Sequence, residues 1–318
     1  MTDEKSLIVK TKEGVVEAIQ GTGDITNALL EQLSGTLVTA LKSTKVVGGE
    51  VGNLLKDTII GSVKGITEVG GEAGSAAKGV IVGIVKGTKE VTTDTLETIG
   101  VSTSTLIKTT AEVGGDLAKT TKGAVEGAIV AAKDVGSCIA EAACQASTAA
   151  IKGVSAVGGE LAETAKQAIM GAAQATQEVG EKTVETISHV AGNIVKATVE
   201  VGGDLASTAK ATMCGALEAS KDMGEQALDT VGTTAGSMIR VTAKVGGDLA
   251  TTARHCVEGA IEGAKTIGVD TAEAASAAAT SALKAAEEIS SSAGEKVRNA
   301  VTGTIDGVKV VLKEPFKK

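Results

Sequence analysis

Two histidines, four cysteines and a regular series of carboxylates are the side chains here that could hold a metal, act as nucleophiles or move protons. Their spacing speaks against all three kinds of chemistry. His189 and His255 stand far apart in the sequence. His255 and Cys256 are adjacent, but neighbouring residues of a helix point roughly 100° apart and do not converge on one ion. Cys138 and Cys144 are six residues apart, which places them on different helix faces. No Cys-x-x-Cys, His-Glu-x-x-His or Gly-x-Ser-x-Gly motif occurs, and those are the spacings that metal sites and nucleophile elbows need. Asp116 and Asp204 belong to a carboxylate series that recurs at fixed intervals, the pattern of a solvated face. Glycine pairs are present, yet without the strand, glycine-rich loop and helix that cradle a phosphate. These residues imply no catalytic side chain, no metal ligand and no cofactor, and so no enzyme.

A repeat sets the elements that carry them. Counted from Thr2, the chain falls into fourteen consecutive rows of 22 residues ending at Lys309, with no gap. One column reads Ile25, Val47, Val69, Val91, Val113, Val135, Val157, Val179, Val201, Met223, Val245, Ile267 and Ile289, and only Asp3 breaks it. The next column is mostly glycine. A third, sixteen places after the valines, is apolar in every row and includes Ile129, Leu217 and Ile261. Twenty-two is twice eleven, and eleven residues make three turns at about 3.67 residues per turn, so such a stripe stays on one face of a nearly straight helix. Val69, Val113, Val157, Val201 and Val245, with Ile129, Leu217 and Ile261, are the expected interaction face. Leu117, Leu161, Leu205 and Leu249 lie between the two stripes, and acids such as Glu68, Glu112 and Glu200 take the other side. The pattern predicts an all-α fold without β-sheet, built of 11-, 22- and 44-residue repeats. Residues 1–309 form one repetitive helical region, and 310–318 a short basic tail.

Composition limits how such helices can be held. The chain has no Trp, no Tyr and a single Phe, Phe316, outside the repeat. Aromatic side chains supply much of an ordinary core; here 42% of residues are hydrophobic, but many are Ala and Val. The 41 glycines sit within a helical pattern, where each costs up to about 1 kcal/mol relative to Ala. An isolated helix of this kind is poorly formed in water, so a lipid surface, a neighbouring helix or further copies must stabilise it.

The glycines have an order of their own. From Gly70 onward a doublet followed by Asp or Glu returns every 44 residues: Gly70-Gly71, Gly114-Gly115, Gly158-Gly159, Gly202-Gly203 and Gly246-Gly247, with an earlier copy at Gly48-Gly49. The pairs are helix breaks or hinges. Glycine after the last helical residue and an acid at the next start would give stacked helical hairpins. Soft points within long, gently kinked helices would keep the same phase, and both alternatives stand. Gly79, Gly83 and Gly87, like Gly123 and Gly127, recur at four-residue spacing, which lets two helix backbones approach closely.

Length and charge exclude other classes. The longest uncharged stretch is about eleven residues (167–177), well short of the roughly 20 needed to span a bilayer. The N-terminus has no secretory-signal pattern, and the cysteines have no framework spacing, which fits a reducing cytoplasm. With a net charge of −8 and no basic patch interleaved with aromatics, nucleic acid is not an expected partner.

At Lys10-Thr11-Lys12-Glu13-Gly14-Val15-Val16 the chain resembles the core of the eleven-residue repeats of synucleins. Thr121-Lys122-Gly123-Ala124-Val125-Glu126-Gly127-Ala128 is similar to the related repeats of perilipins, the lipid-droplet coat proteins. Looser echoes such as Gly87-Thr88-Lys89-Glu90-Val91 cover most of the chain. The resemblance implies long amphipathic helices lying on a lipid surface. Two departures matter: the net acidic charge weakens attraction to anionic membranes, and the 44-residue doublet is foreign to those repeats. Two expectations follow. One is a non-catalytic coat on a lipid or granule surface, cytoplasmic or peripheral on a membrane or droplet. The other is a homo-oligomeric scaffold, a filament, tube or array held by Gly/Ala/Val-rich helix packing. The tail, Lys313-Glu314-Pro315-Phe316-Lys317-Lys318, holds the only proline, which ends the repeat. It reads either as a frayed end or as a docking peptide anchored by Phe316.

Overall fold

Rows of 22 residues become single helices closed by a turn. The computed structural model describes residues 7–22, 25–44, 49–89, 94–221 and 226–312. Val47, Gly48, Val91, Met223, Gly224 and the tail from Lys313 lie outside them. The chain forms two compact units, Met1–Gly159 and Glu160–Lys318. The first contains α1 (Leu7–Thr22), α2 (Ile25–Thr44), α3 (Gly49–Val69), α4 (Ala73–Lys89), α5 (Thr95–Glu112), α6 (Leu117–Val135) and α7 (Ile139–Ala156). The second contains α8 (Leu161–Val179), α9 (Thr183–Glu200), α10 (Leu205–Ala219), α11 (Gln226–Lys244), α12 (Leu249–Ile267), α13 (Thr271–Ile289) and α14 (Ser291–Val301). Helices α5 to α10 each start 22 residues after the one before, as does α13 after α12. The fold is all-α, with one small departure: β1 (Gly303–Ile305) and β2 (Val308–Val310) pair as an antiparallel hairpin.

Of the two arrangements open from sequence, stacked hairpins are the one formed. Each helix lies on its second neighbour. In the first unit α2, α4 and α6 stack as one layer and α1, α3, α5 and α7 as the other. In the second unit α8, α10 and α12 form one layer and α9, α11 and α13 the other. The third column is the seam of both cores: Ile107, Ile129 and Ile151 in one unit, and Val195, Leu217, Ile239 and Ile261 in the other, are all 0% exposed.

A core without aromatics closes because the helices come unusually near each other. A Cβ placed on Gly127 would stand 2.7 Å from the Lys78 carbonyl oxygen, and one on Gly79 2.9 Å from that of Thr26. Buried hydroxyls fill much of the remaining interior. Thr88, Ser147, Thr198, Thr212 and Thr242 are buried, and each donates to the carbonyl four residues earlier in its own helix. That bond satisfies a polar atom without needing a partner across the core.

The second unit ends differently from its repeats. Helix α14 packs on α12 and α13, and β2 packs on α13. Val297, Val301, Ile305 and Val310 face inward, while Ser291, Ser292, Glu295, Lys296 and Asn299 are exposed. Stacked repeats need a terminal element with a polar outer face, and α14 with the hairpin supplies one.

Candidate functional site

The doublet turns form the most repeated local structure of the molecule, and the sequence explains each atom of it. A helix ends at the valine column. The first glycine then takes φ between 66° and 71° at Gly70, Gly114, Gly158, Gly202 and Gly246, a left-handed conformation that side-chain-bearing residues disfavour. The second glycine's N–H reaches back to cap the helix, as Gly115 donates to the Thr110 carbonyl at 2.8 Å and Gly203 to that of Thr198 at 2.8 Å. The acid that follows opens the next helix. Asp116, Asp204 and Asp248 accept from backbone N–H groups of the first turn, whereas Glu160 makes no such side-chain bond. At Asp204 the Ser207 hydroxyl, and at Asp248 the Thr251 hydroxyl, are the main causes that hold the carboxyl below its ordinary value. The single-glycine column makes the alternate turns: Gly136, Gly180 and Gly268 have φ of 73°, 74° and 77°.

The expected interaction face divides in two. Ile129, Leu217 and Ile261 are fully buried between helices. Val69, Val113, Val201 and Val245 are half-buried at helix ends, and Val157, at the cap of α7, is 37% exposed. The valines mark where helices stop rather than a stripe along them. Of the close-packing glycines, Gly79 meets α2 and Gly123 and Gly127 meet α4 at backbone distance, while Gly83 and Gly87 are buried in α4.

Sequence reasoning missed what the second glycine does. In the first unit a Cβ on Gly159 would meet Leu117 at 3.1 Å; in the second, one on Gly203 would run into Leu161, and one on Gly247 would meet Leu205 at 3.2 Å. The leucine after one doublet thus rests on the second glycine of the next. Gly115 breaks the series, because a Cβ there meets only Thr110 of its own preceding helix. The preceding doublet carries Ala73 where the others carry leucine. A pocket of about 320 Å³ stands there, lined by Val63, Ile66, Ala73, Ala76, Leu106 and Val113, with Asp116 at its edge. The break in the leucine column was the available signal.

Chemistry beyond packing is sparse. Among the described residues no group of three His, Cys, Asp or Glu side chains converges as for a metal ion. None of the four cysteines forms a disulfide. Burial, helped by the hydrogen bond to Glu218, pushes the Cys214 thiol up to about 12, and burial alone pushes Cys256 up to about 12. Both stay protonated and unreactive near neutrality. His255 bonds through Nδ1 to the Thr251 carbonyl at 2.8 Å, and His189 lines an open polar groove with Lys182, Glu185 and Asp229. No described helix is long and apolar enough to cross a membrane. Compared with protein-family models and with curated proteins, the chain matches none.

Proposed function

We propose that this chain is a non-catalytic, self-assembling helical scaffold, built from stacked hairpins and working through its surface. The observation that carries this reading is the placement of the apolar columns. The third column is spent on the cores of the two units, and the exposed large hydrophobic residues among those described are Val9, Val101, Val157, Ile289 and Val311, scattered over both. A lipid-inserting face needs a contiguous apolar stripe facing outward. The glycine-to-carbonyl approach also requires one defined helix–helix geometry, which a lipid surface does not impose. Four cysteines without a disulfide fit a reducing compartment such as the cytoplasm.

A coat on a lipid or granule surface is the second reading, favoured by the wording of Lys10 to Val16 and Thr121 to Ala128. It requires the hairpins to unstack so that residues such as Ile129 can reach lipid. Circular dichroism and sedimentation velocity of the purified chain, alone and with neutral or anionic vesicles, separate the two. The scaffold gives full helicity and concentration-dependent assemblies without lipid. A chain that is largely unstructured until vesicles are added would overturn it.

A further inference from the structure

The socket at Gly115 exists because the start of α4 is trimmed at two positions where its repeats are not. Helices α6, α8, α10 and α12 carry Leu117, Leu161, Leu205 and Leu249 at the first position and Thr120, Thr164, Thr208 and Thr252 at the fourth; α4 has Ala73 and Ala76. Leu117, Leu161 and Leu205 reach the second glycine of the next doublet, and the four threonines are at most 2% exposed. Ala73, Ala76 and Gly115 all line the pocket, with Val63 and Ile66 of α3 and Leu106 of α5. Cutting back two neighbouring core side chains leaves a cavity that packed surroundings only partly close. The polar groups of its wall make no demand for a charged occupant. Thr67 and Thr120 donate their hydroxyls to carbonyls four residues earlier, and the Asp116 carboxylate accepts from the Lys119 N–H at 3.0 Å, with the Lys119 ammonium 3.6 Å away.

We propose that the socket binds one small uncharged apolar molecule, of the size and chemistry of an alkylbenzene, in continuity with the packing that leucine and threonine complete at the later turns. An apolar cavity of about 150 Å³ takes up benzene. At about 320 Å³ this one has room for a ring with an alkyl branch, and it reaches the lower end of ligand-sized pockets, roughly 300–1,000 Å³. Burial of the molecule's surface against α3, α4, α5 and α6 supplies the affinity, and binding to the folded state alone raises stability with ligand concentration. The inference goes beyond the scaffold reading, because the socket lies within the first unit and needs no second copy.

Toluene is the probe, with bound toluene per chain measured by headspace gas chromatography and stability by thermal unfolding of the full-length chain. The wild type is expected to bind saturably, about one toluene per chain, and to melt higher as toluene is added. Ala73→Leu combined with Ala76→Thr restores the side chains that the fold holds at the equivalent places. This double variant is expected to melt above the wild type without toluene and to bind it about tenfold or more weakly. Ala73→Val fills less of the space, and its toluene affinity should fall between the two. Absence of saturable binding to the wild type overturns the proposal, and so does equal toluene binding by the wild type and the double variant. If the double variant does not fold, Ala73→Val alone decides, and an unchanged affinity there overturns the proposal.

Discussion

The two layers of the second unit reach similar stacking by different means. In the layer α8, α10 and α12, glycine lets backbone meet backbone: a Cβ on Gly215 would lie 3.0 Å from the Lys166 carbonyl oxygen, and one on Gly263 3.1 Å from that of Cys214. Lys166–Glu218 and Lys210–Glu262 bridge the same rungs at 2.9 and 2.8 Å. In the layer α9, α11 and α13, hydroxyls do the joining. Ser237 donates to the Ser188 carbonyl at 2.8 Å, Ser188 donates to that of Thr233 at 3.3 Å, and Gly192 faces the Ser237 hydroxyl and Val241. The first layer is held by close approach, which tolerates no added atom. The second is held by side-chain ends, which can give way.

The same substitution in each layer separates these two modes most sharply. Gly259→Ala pushes a methyl into the Lys210 carbonyl, a backbone atom that cannot step aside. Its cost is about 2–3 kcal/mol even after the gain in helix propensity. Gly192→Ala meets only the Ser237 hydroxyl and a Val241 methyl, both at 3.0 Å, and stays within about 1 kcal/mol of wild type. Urea unfolding followed by circular dichroism measures both. Equal losses would remove the distinction between the layers.

Ion pairs between stacked helices of each layer give the next largest contrast. The Lys166 and Glu218 side chains are 26% and 14% exposed, and Glu218 also accepts from the Cys214 thiol. Glu218→Ala strands a half-buried ammonium and loses about 1–2 kcal/mol. Arg240–Glu288 has side chains 50% and 48% exposed, and Arg240→Ala should lose less than about 1 kcal/mol. High salt should widen the gap slightly, since the Lys166 pair is the less screened. Ser237→Ala, which removes one hydroxyl-to-carbonyl bond from the other layer, should cost about 1 kcal/mol.

How much of this was legible in the sequence follows from what a period can and cannot encode. The third column needed no structure: an apolar residue in every row has one physical destination, and Ile129, Leu217 and Ile261 are buried there. The valine column was legible as a position but not as a place. An unbroken 22-residue phase is kept both by a long helix and by a helix plus a turn, so Val113 and Val157 read as a face although they are helix caps. The left-handed glycines decide the matter, and the single-glycine column at Gly136, Gly180 and Gly268 shows that turns come every row rather than every second one. The socket was half legible. Ala73 visibly interrupts the leucines, but that those leucines point at the next doublet is a fact of three dimensions.

Acid should weaken the aspartate-capped starts of α10 and α12 more than the uncapped start of α9, and this is the smallest of the expected effects. In the glycine-built layer, α10 and α12 open on Asp204 and Asp248, whose carboxyls lie below the ordinary 3.8 because Ser207 and Thr251 donate to them. In the other layer α9 opens on Lys182, which makes no side-chain cap, while α13 opens on Asp270, which accepts from Ala272 and Glu273 N–H. A carboxyl whose folded value is lowered contributes stability that is complete above its unfolded value and is lost as pH falls through the folded one. The loss therefore begins below about pH 4 and falls on the first turns of α10 and α12. Hydrogen exchange at the N–H groups of Ala206, Ser207, Ala250 and Thr251, compared between pH 5 and pH 3 after correction for intrinsic rates, should show them losing more protection than the first turn of α9. Asp204→Asn and Asp248→Asn keep an oxygen acceptor and should flatten that pH response while costing only a fraction of a kcal/mol at neutrality. Equal loss of protection at α9 would mean that general acid destabilisation, not these caps, governs the response.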